Sequence, residues 1–368
     1  MVTLLIKLCE EGGVFRRLTE KGLYLCRNRR RLIPFFVFLL AALVSALGIG
    51  NIATTALVAP AALTIAASLG LSPFLMTLMV VGGANAAVMS PISPTGILAA
   101  KLVPGVDSWS LFGSCFAFIG SVHLLGFILL GGARWIHHQG QAIKKLDLGH
   151  RKAHPESAPS SEPWTPQQRG ALAVLGCFFV LNLVLGLSSL RDIGLLAAGC
   201  VVLGVVLRIS PLALALRRVP WNFLAFICTI TFVLNVVEKT FGFQMVKDLA
   251  AEAHSGTVLV FVVSFLAALL SVFSSSSGVV MPLFLPMIPS LLVGNEVIGV
   301  AWMLTMIVVS SHLVDCSPFS SLGALAIGSI KDDKKASHVL FRQLIVWGLA
   351  MVPVAAGLST LLHLVMYP

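Results

Sequence analysis

The apolar positions along the chain form long runs that are interrupted twice in the same way. Residues 41–60 read AALVSALGIGNIATTALVAP, and residues 267–286 read AALLSVFSSSSGVVMPLFLP. In each, an apolar helix runs into a short segment of small or polar residues and then resumes as a second apolar run. We name the interrupting segments the first tip, Gly50-Asn51, and the second tip, Ser276-Ser277-Gly278.

Each tip lies in the middle of an apolar stretch that is too short to cross a membrane twice. The runs beside the first tip, 32–49 and 52–68, have about 17 residues each, whereas a spanning helix needs about 20. The pattern therefore predicts a re-entrant hairpin at 32–68 and, by the same argument, a second one at 256–293.

A second polar break follows each hairpin. It reads SPISPTG from Ser90 to Gly96 and SPFSSLG from Ser317 to Gly323, identical at four of seven positions. Proline removes an amide donor and disfavours helix at the residue before it. We therefore predict two broken helices, at 71–102 and 297–330.

The spacing of these features indicates an internal duplication. Ser277 follows Asn51 by 226 positions, and Ser317 follows Ser90 by 227. Two different breaks in the same order at nearly the same spacing are typical of transporters built from repeats. We predict a first repeat at 1–133, a hydrophilic linker at 134–169 and a second repeat at 170–368. The second repeat has two additional spans at its start, so we expect the first to be incomplete at its N-terminal end.

Composition places these elements in a membrane. Hydrophobic residues make up 57% of the 368 and charged residues 11%, against about 25% charged in soluble domains. No Asp, Glu, Lys or Arg lies between Arg31 and Lys101. The predicted fold class is therefore an all-α integral membrane protein, an inverted-repeat transporter with two re-entrant hairpins and two broken helices, in contact with the lipid bilayer.

The net charge of +10 comes from short basic runs between apolar segments, which is typical of cytoplasmic loops and does not indicate a nucleic-acid partner. The runs are Arg27–Arg31, Arg134–Lys152, Arg208–Arg218 and Lys331–Lys335. Placing all four in the cytoplasm predicts a multi-pass protein of the inner (plasma) membrane with a cytoplasmic linker and an external C-terminus. It also makes the two hairpins enter from opposite sides of the membrane, so the repeats are inverted.

The breaks suggest what the protein binds. Backbone groups freed by a break need partners in hydrocarbon, and helix N-termini suit a carboxylate whereas helix C-termini suit Na⁺. The candidate substrate-binding residues are Asn51, Ser93, Pro94, Thr95, Ser277, Gly278, Pro318 and Ser320. The candidate Na⁺ ligands are Gly50, Asn51, Ser90, Ser276, Ser277 and Ser317. The alternative, that these small residues only allow close helix packing, explains a single break better than four breaks in register.

Asp315 is the one acidic residue that the pattern places deep in the membrane. An intramembrane carboxylate is a candidate for Na⁺ or H⁺ coupling, and the alternative is a structural, hydrogen-bonded aspartate. Its counterpart in the first repeat is Val88, so its role is not shared by the repeats. We interpret His312, one turn earlier, as a packed polar residue whose counterpart is Asn85.

The sequence does not favour an enzyme. It contains no GxSxG elbow, HExxH motif or glycine-rich phosphate loop, and its seven cysteines have no CxxC spacing. We expect no cofactor other than the coupling ion. Three alternatives stay open: a cation/proton antiporter on the same scaffold, an intramembrane hydrolase using Ser and Asp, and a receptor that binds substrate without transport.

The order of hairpin, broken helix, linker, hairpin and broken helix resembles the ion transporter superfamily, in particular divalent anion/sodium symporters. GNIATTALVAP with SPISPTG, and FSSSSGVVMP with DCSPFSSLG, resemble the malonate and C4-dicarboxylate carrier branch. The resemblance implies uptake of a small dicarboxylate with Na⁺ or H⁺, binding at the tips and breaks, an elevator-like motion and a homodimer.

Overall fold

The computed structural model describes residues 1–15, 17, 30–137, 163–185, 193–219, 255–292, 298–330 and 334–366, with single residues at 221, 225, 229, 232 and 236. Within these ranges the regular secondary structure is helical, without strands. Most of the predicted linker, and the basic run Lys331–Lys335 in part, lie outside the described residues.

The helices are numbered here in chain order. They are α1 (Val2–Glu11), α2 (Ile33–Val44), α3 (Asn51–Ser68), α4 (Pro73–Ala86), α5 (Pro94–Leu102), α6 (Ser108–Phe127), α7 (Pro166–Leu185), α8 (Ile193–Val206), α9 (Leu212–Arg218), α10 (Gly256–Val272), α11 (Ser276–Leu291), α12 (Val300–Val314), α13 (Ser321–Gly328) and α14 (Lys334–Met366).

One hydrophobic core joins both halves of the chain. Helices α2 and α3 pack on α4, α10 packs on α12 and α14, and α6 contacts both α4 and α12. A second, smaller core holds α1 against α7, α8 and the end of α2. The larger core therefore fixes α4 and α12, which lead into the two polar breaks, relative to each other.

Two glycines shape the turn between α2 and α3. After α2 comes a π-helical turn, Ser45–Ile49, in which Gly48 has φ 103°. Gly50 follows at φ 80°, and α3 then begins at Asn51. Both angles lie in the left-handed region that other residues rarely adopt. The chain therefore turns at Gly48 and Gly50 because these positions lack a Cβ.

The break between α4 and α5 is closed by one serine. Ser93 Oγ donates to the carbonyl of Val88 and accepts from the amide of Gly96 at 2.9 Å. A Cβ built on Gly96 would overlap the carbonyl oxygen of Ser90. The spacing S-x-x-S-x-x-G in the sequence is therefore the pattern of an N-cap serine and a glycine that admits the preceding carbonyl.

The break between α12 and α13 repeats this arrangement. Ser320 Oγ donates to the carbonyl of Asp315 and accepts from the amide of Gly323 at 3.3 Å. A Cβ on Gly323 would overlap the carbonyl oxygen of Ser317. Residues 227 positions apart thus make the same bonds in the two breaks.

Two continuous helices in the described ranges are long and apolar enough to cross a membrane, Ser108–His137 and Lys334–Met366. Large apolar side chains on both face outward, such as Leu129 and Val346, with 72% and 66% of their surface exposed. An apolar outer surface of this kind suits contact with lipid.

Candidate functional site

The two tips meet in the interior. Asn51 Nδ2 lies 3.5 Å from Ser277 Oγ, and both residues are 3% exposed. A Cβ built on Gly50 would lie 3.8 Å from Pro94 Cδ at the start of α5. The structure therefore brings the first tip against both the second tip and the first polar break.

Two further residues complete a buried polar network. Asn51 Nδ2 donates to Asn85 Oδ1 at 2.9 Å, and Asn85 Nδ2 donates to the carbonyl of His312 at 3.0 Å. His312 Nε2 lies 3.3 Å from Ser277 Oγ, which closes the circuit. We call Asn51, Asn85, Ser277 and His312 the polar network.

The chemistry of the partner atoms determines which group donates in each hydrogen bond. His312 Nδ1 lies 2.8 Å from the carbonyl of Val308, which can only accept, so Nδ1 carries the hydrogen. In the neutral imidazole Nε2 is then an acceptor and receives the hydroxyl hydrogen of Ser277. Both hydrogens of Asn51 Nδ2 point to Asn85 and Ser277. The Asn51 amide thus donates to Asn85 and to Ser277, and the Ser277 hydroxyl donates to His312.

Four helices begin at the tips and breaks. Helices α3, α5, α11 and α13 begin at the tips and breaks, and serine side chains accept from the first turns of the last three. Each helix N-terminus acts as roughly half a positive charge, so four give about two. No described residue that bonds within the network is Lys or Arg, so the helix N-termini are the source of positive charge that the described residues offer there.

Asp315 lies at the edge of this arrangement. It is 2% exposed, and within the described ranges its Oδ1 has no hydrogen-bond partner. Ser276, Ser320 and Asn85 are the polar neighbours that act on its carboxyl group. A buried, ionised carboxyl group requires a positive partner, so Asp315 needs either a bound cation or a proton.

A sequence model of the citrate transporter family CitMHS matches residues 1–310. The chain belongs to the CitMHS citrate transporter family. Membership indicates a secondary transporter of citrate-like carboxylates and a membrane protein, within the same broad ion transporter group as the resemblance in the sequence. No curated protein matches the sequence.

In this CitMHS family member some predicted ligands lie at the network and others do not. Asn51 and Ser277 belong to it, and Ser276 approaches Asp315. Ser90 Oγ instead donates to the carbonyl of Ala46 at 2.7 Å. These side chains are therefore of two kinds, some at the network and some bonded to nearby backbone.

The remaining predicted ligands lie at the helix starts. Ser317 Oγ accepts from the Phe319 amide at 3.3 Å, and the Gly278 amide donates to Ser275 Oγ at 3.1 Å. Thr95 and Pro318 are buried. Ser93, Ser317 and Ser320 thus bond to backbone groups within their own breaks.

Two network residues, Asn85 and His312, are not among the predicted ligands. His312 was interpreted as a packed polar side chain, yet its ring contacts the second tip and its carbonyl accepts from Asn85. A signal was present, because each is polar and each lies five positions before the serine that opens a break, Ser90 or Ser317. Polar residues at the same place in both repeats are therefore the sequence signal for these two network residues.

Proposed function

We propose that this chain takes up a small dicarboxylate, malonate or a C4-dicarboxylate, in symport with Na⁺ or H⁺, and that the substrate binds where the tips and breaks meet. The observation that carries the proposal is the contact of Asn51 with Ser277, which joins the two tips at one buried place. Membership in a citrate transporter family supports the carboxylate class.

The proposed architecture is the inverted repeat with re-entrant hairpins, divided at 1–133, 134–169 and 170–368. Matching bonds support it. Ser45 Oγ donates to the carbonyl of Ala84, and Ser271 Oγ, 226 positions later, donates to the carbonyl of Ser311, 227 after Ala84. The two Oγ-to-carbonyl distances are 2.8 and 2.9 Å. Each hairpin is thus fixed to its broken helix in the same way.

Charge supports a dianion over a trianion. Four helix N-termini provide roughly two positive charges, which balance two carboxylates. A fully ionised citrate carries a third negative charge, and the described network offers no Lys or Arg for it. A citrate-like trianion would therefore need a further bound cation, so both substrate classes belong in the assay.

The coupling ion is proposed to bind at Asp315 with hydroxyl or carbonyl groups of the second tip. A carboxylate with a free, buried oxygen can bind Na⁺ or a proton. By the same resemblance we propose a homodimer in the inner membrane, with the linker cytoplasmic, the C-terminus outside and an elevator-like motion of hairpins and broken helices.

The deciding experiment is uptake of labelled malonate, succinate and citrate into proteoliposomes under imposed Na⁺ and H⁺ gradients. We expect one gradient to drive accumulation of a dicarboxylate above equilibrium. If no carboxylate is moved under either gradient while a cation exchanges for protons, the chain is a cation/proton antiporter. Binding of carboxylate without flux would instead indicate a receptor.

A further inference from the structure

We propose that Thr54 and Thr55 bind a carboxylate group of the substrate with their side-chain hydroxyls. The inference deepens the proposed function and rests on it, since it adds two binding residues to the same site. It is carried by a contrast between neighbours. The two hydroxyls have no hydrogen-bond partner in the described part of the chain, whereas every polar side-chain atom of Asn51 has one.

Both threonines lie on the buried face of α3 beside the first tip. They follow Asn51 by three and four residues, and side chains at these spacings are neighbours on a helix surface. Both are 0% exposed. The same helix packs on α4, which leads into the first polar break, and on α13, which follows the second. The two hydroxyls therefore lie in the interior, one helical turn beyond the first tip.

A threonine inside a helix commonly donates its hydroxyl hydrogen to a carbonyl of the preceding turn. Four threonines do so in the described helices, at 2.7 or 2.8 Å from the carbonyl four residues earlier: Thr64, Thr77, Thr305 and Thr360. Thr54 Oγ1 and Thr55 Oγ1 do not, although the Thr54 amide donates to the Gly50 carbonyl at 3.1 Å. A buried hydroxyl without a partner is destabilising. These two hydroxyls therefore need an acceptor that the described residues do not supply.

Asn51 has no unused polar group in its side chain. Its two amide hydrogens are donated to Asn85 Oδ1 at 2.9 Å and to Ser277 Oγ at 3.5 Å. Its Oδ1 accepts from the Ile52 amide at 3.0 Å. A ligand that bonds to Asn51 must replace existing hydrogen bonds, whereas a ligand that bonds to the two threonines adds hydrogen bonds without breaking any.

A carboxylate group fits these donors. It accepts hydrogen bonds and donates none, and its two oxygens match the two hydroxyl hydrogens. The N-terminus of α3, one turn away, has a partial positive charge, which favours an anion over a cation at this place. Hydrogen bonds to a charged acceptor are also stronger than neutral ones. The threonine pair is therefore assigned to the substrate, and the coupling ion keeps its proposed position at Asp315.

The test measures binding and stability on the same purified full chain in detergent. Equilibrium binding of labelled malonate and of labelled citrate is measured at fixed pH over a range of Na⁺ concentrations, and the thermal unfolding midpoint is measured without substrate. We expect Thr54→Val and Thr55→Val each to weaken malonate affinity by roughly tenfold or more, because each loses a hydrogen bond to a charged group. Without substrate their midpoints should be unchanged or higher, because valine has a similar shape and no unpaired hydroxyl.

Two further variants separate substrate binding from a structural role. Thr54→Ser keeps the hydroxyl and should keep malonate affinity within a few-fold of the wild type. Thr77→Val is the matched control, because Thr77 is 1% exposed and its hydroxyl donates to the Pro73 carbonyl at 2.8 Å. It should leave malonate affinity unchanged without raising the midpoint, since it loses a hydrogen bond made within the protein.

Each outcome decides the inference. A loss of affinity in the valine variants that disappears at high Na⁺ would place the threonines at a cation site and overturn it. A lowered midpoint, or a failure to fold, in Thr54→Val and Thr55→Val would mean that the hydroxyls have partners within the protein, and would overturn it as well. A wild type that binds neither carboxylate overturns the proposed function together with this inference, whereas wild-type affinity in both valine variants overturns the inference alone.

Discussion

Asn51 Nδ2 and Ser277 Oγ lie 3.5 Å apart although 226 residues separate them in the chain. They also occupy equivalent positions of the proposed repeats. Equivalent positions of two repeats touch where a two-fold axis passes between them, so a contact of this kind is what the inverted-repeat proposal predicts. Ser277 Oγ accepts from Asn51 Nδ2, so a substrate bound at the proposed site would exchange this hydrogen bond for its own.

The first prediction concerns the unequal tips. Asn51→Ala removes the amide that donates to Asn85 and Ser277, whereas Ser277→Ala removes one hydroxyl. A hydrogen bond to a charged ligand contributes about 1.5 to 3 kcal/mol and a neutral one about 0.5 to 1.5. We expect Asn51→Ala to weaken substrate affinity at least several-fold more than Ser277→Ala in concentration-dependent uptake.

The control for this comparison is Ser274→Ala, three residues before Ser277. Ser274 lies just after α10, and its Oγ donates to the carbonyl of Leu270 in the last turn of that helix at 2.7 Å. It should leave the half-saturation concentration unchanged at matched expression. A near-wild-type affinity for Asn51→Ala would remove the first tip from the site.

The second prediction concerns Asp315. Asp315→Asn keeps the shape and loses the charge, so it should bind substrate and exchange it across the membrane but no longer accumulate it under an imposed gradient. We expect accumulation to fall to the equilibrium level, while counterflow of labelled substrate stays within a few-fold of wild type. Asp107→Asn, an exposed N-cap of α6, is the control and should accumulate normally. Gradient-driven accumulation by Asp315→Asn would show that the coupling ion binds elsewhere.

Sequence alone predicted the interruptions at Gly50, Ser90 and Ser317 because the physical causes are local, whereas the second tip, Ser276-Ser277-Gly278, lies in the first turn of α11. Glycines at Gly48 and Gly50 reach backbone angles that other residues avoid, and the serine and glycine of each break are spaced for an N-cap. Because these constraints act over only a few residues, the local sequence pattern indicates them. The composition likewise predicted a membrane protein, which the family match confirms.

The polar network could not be derived in the same way. Asn85 and His312 lie inside helices. A single polar residue there is as consistent with a bond to a nearby carbonyl as with a role in a binding site. Their role depends on a contact between elements 227 residues apart, and no local rule specifies it. Local sequence patterns also do not identify the substrate, because the partial charge at helix N-termini attracts any carboxylate.

The third prediction tests the second polar break. A Cβ on Gly323 would overlap the carbonyl of Ser317, so Gly323→Ala must displace the break. Overpacking of this kind costs about 1 to 3 kcal/mol, and we expect the thermal unfolding midpoint in detergent to fall by several degrees. Gly328→Ala, in the same helix with no atom within 4 Å of an added Cβ, should leave the midpoint unchanged or slightly raised. An unchanged midpoint for Gly323→Ala would contradict the close packing at this break.

The fourth prediction tests the inversion of the repeats. If the hairpins enter from opposite sides, the end of the first, at Ser68, faces the cytoplasm and the end of the second, at Val293, faces outward. In a variant without the seven native cysteines, Ser68→Cys and Val293→Cys should react with a membrane-impermeant maleimide from opposite sides of oriented vesicles. Ser160→Cys in the linker provides the cytoplasmic reference and should react together with Ser68→Cys. Labelling of Ser68→Cys and Val293→Cys from the same side would contradict the inverted repeat, whatever the transport assays show, because a two-fold axis in the membrane plane exchanges the two faces.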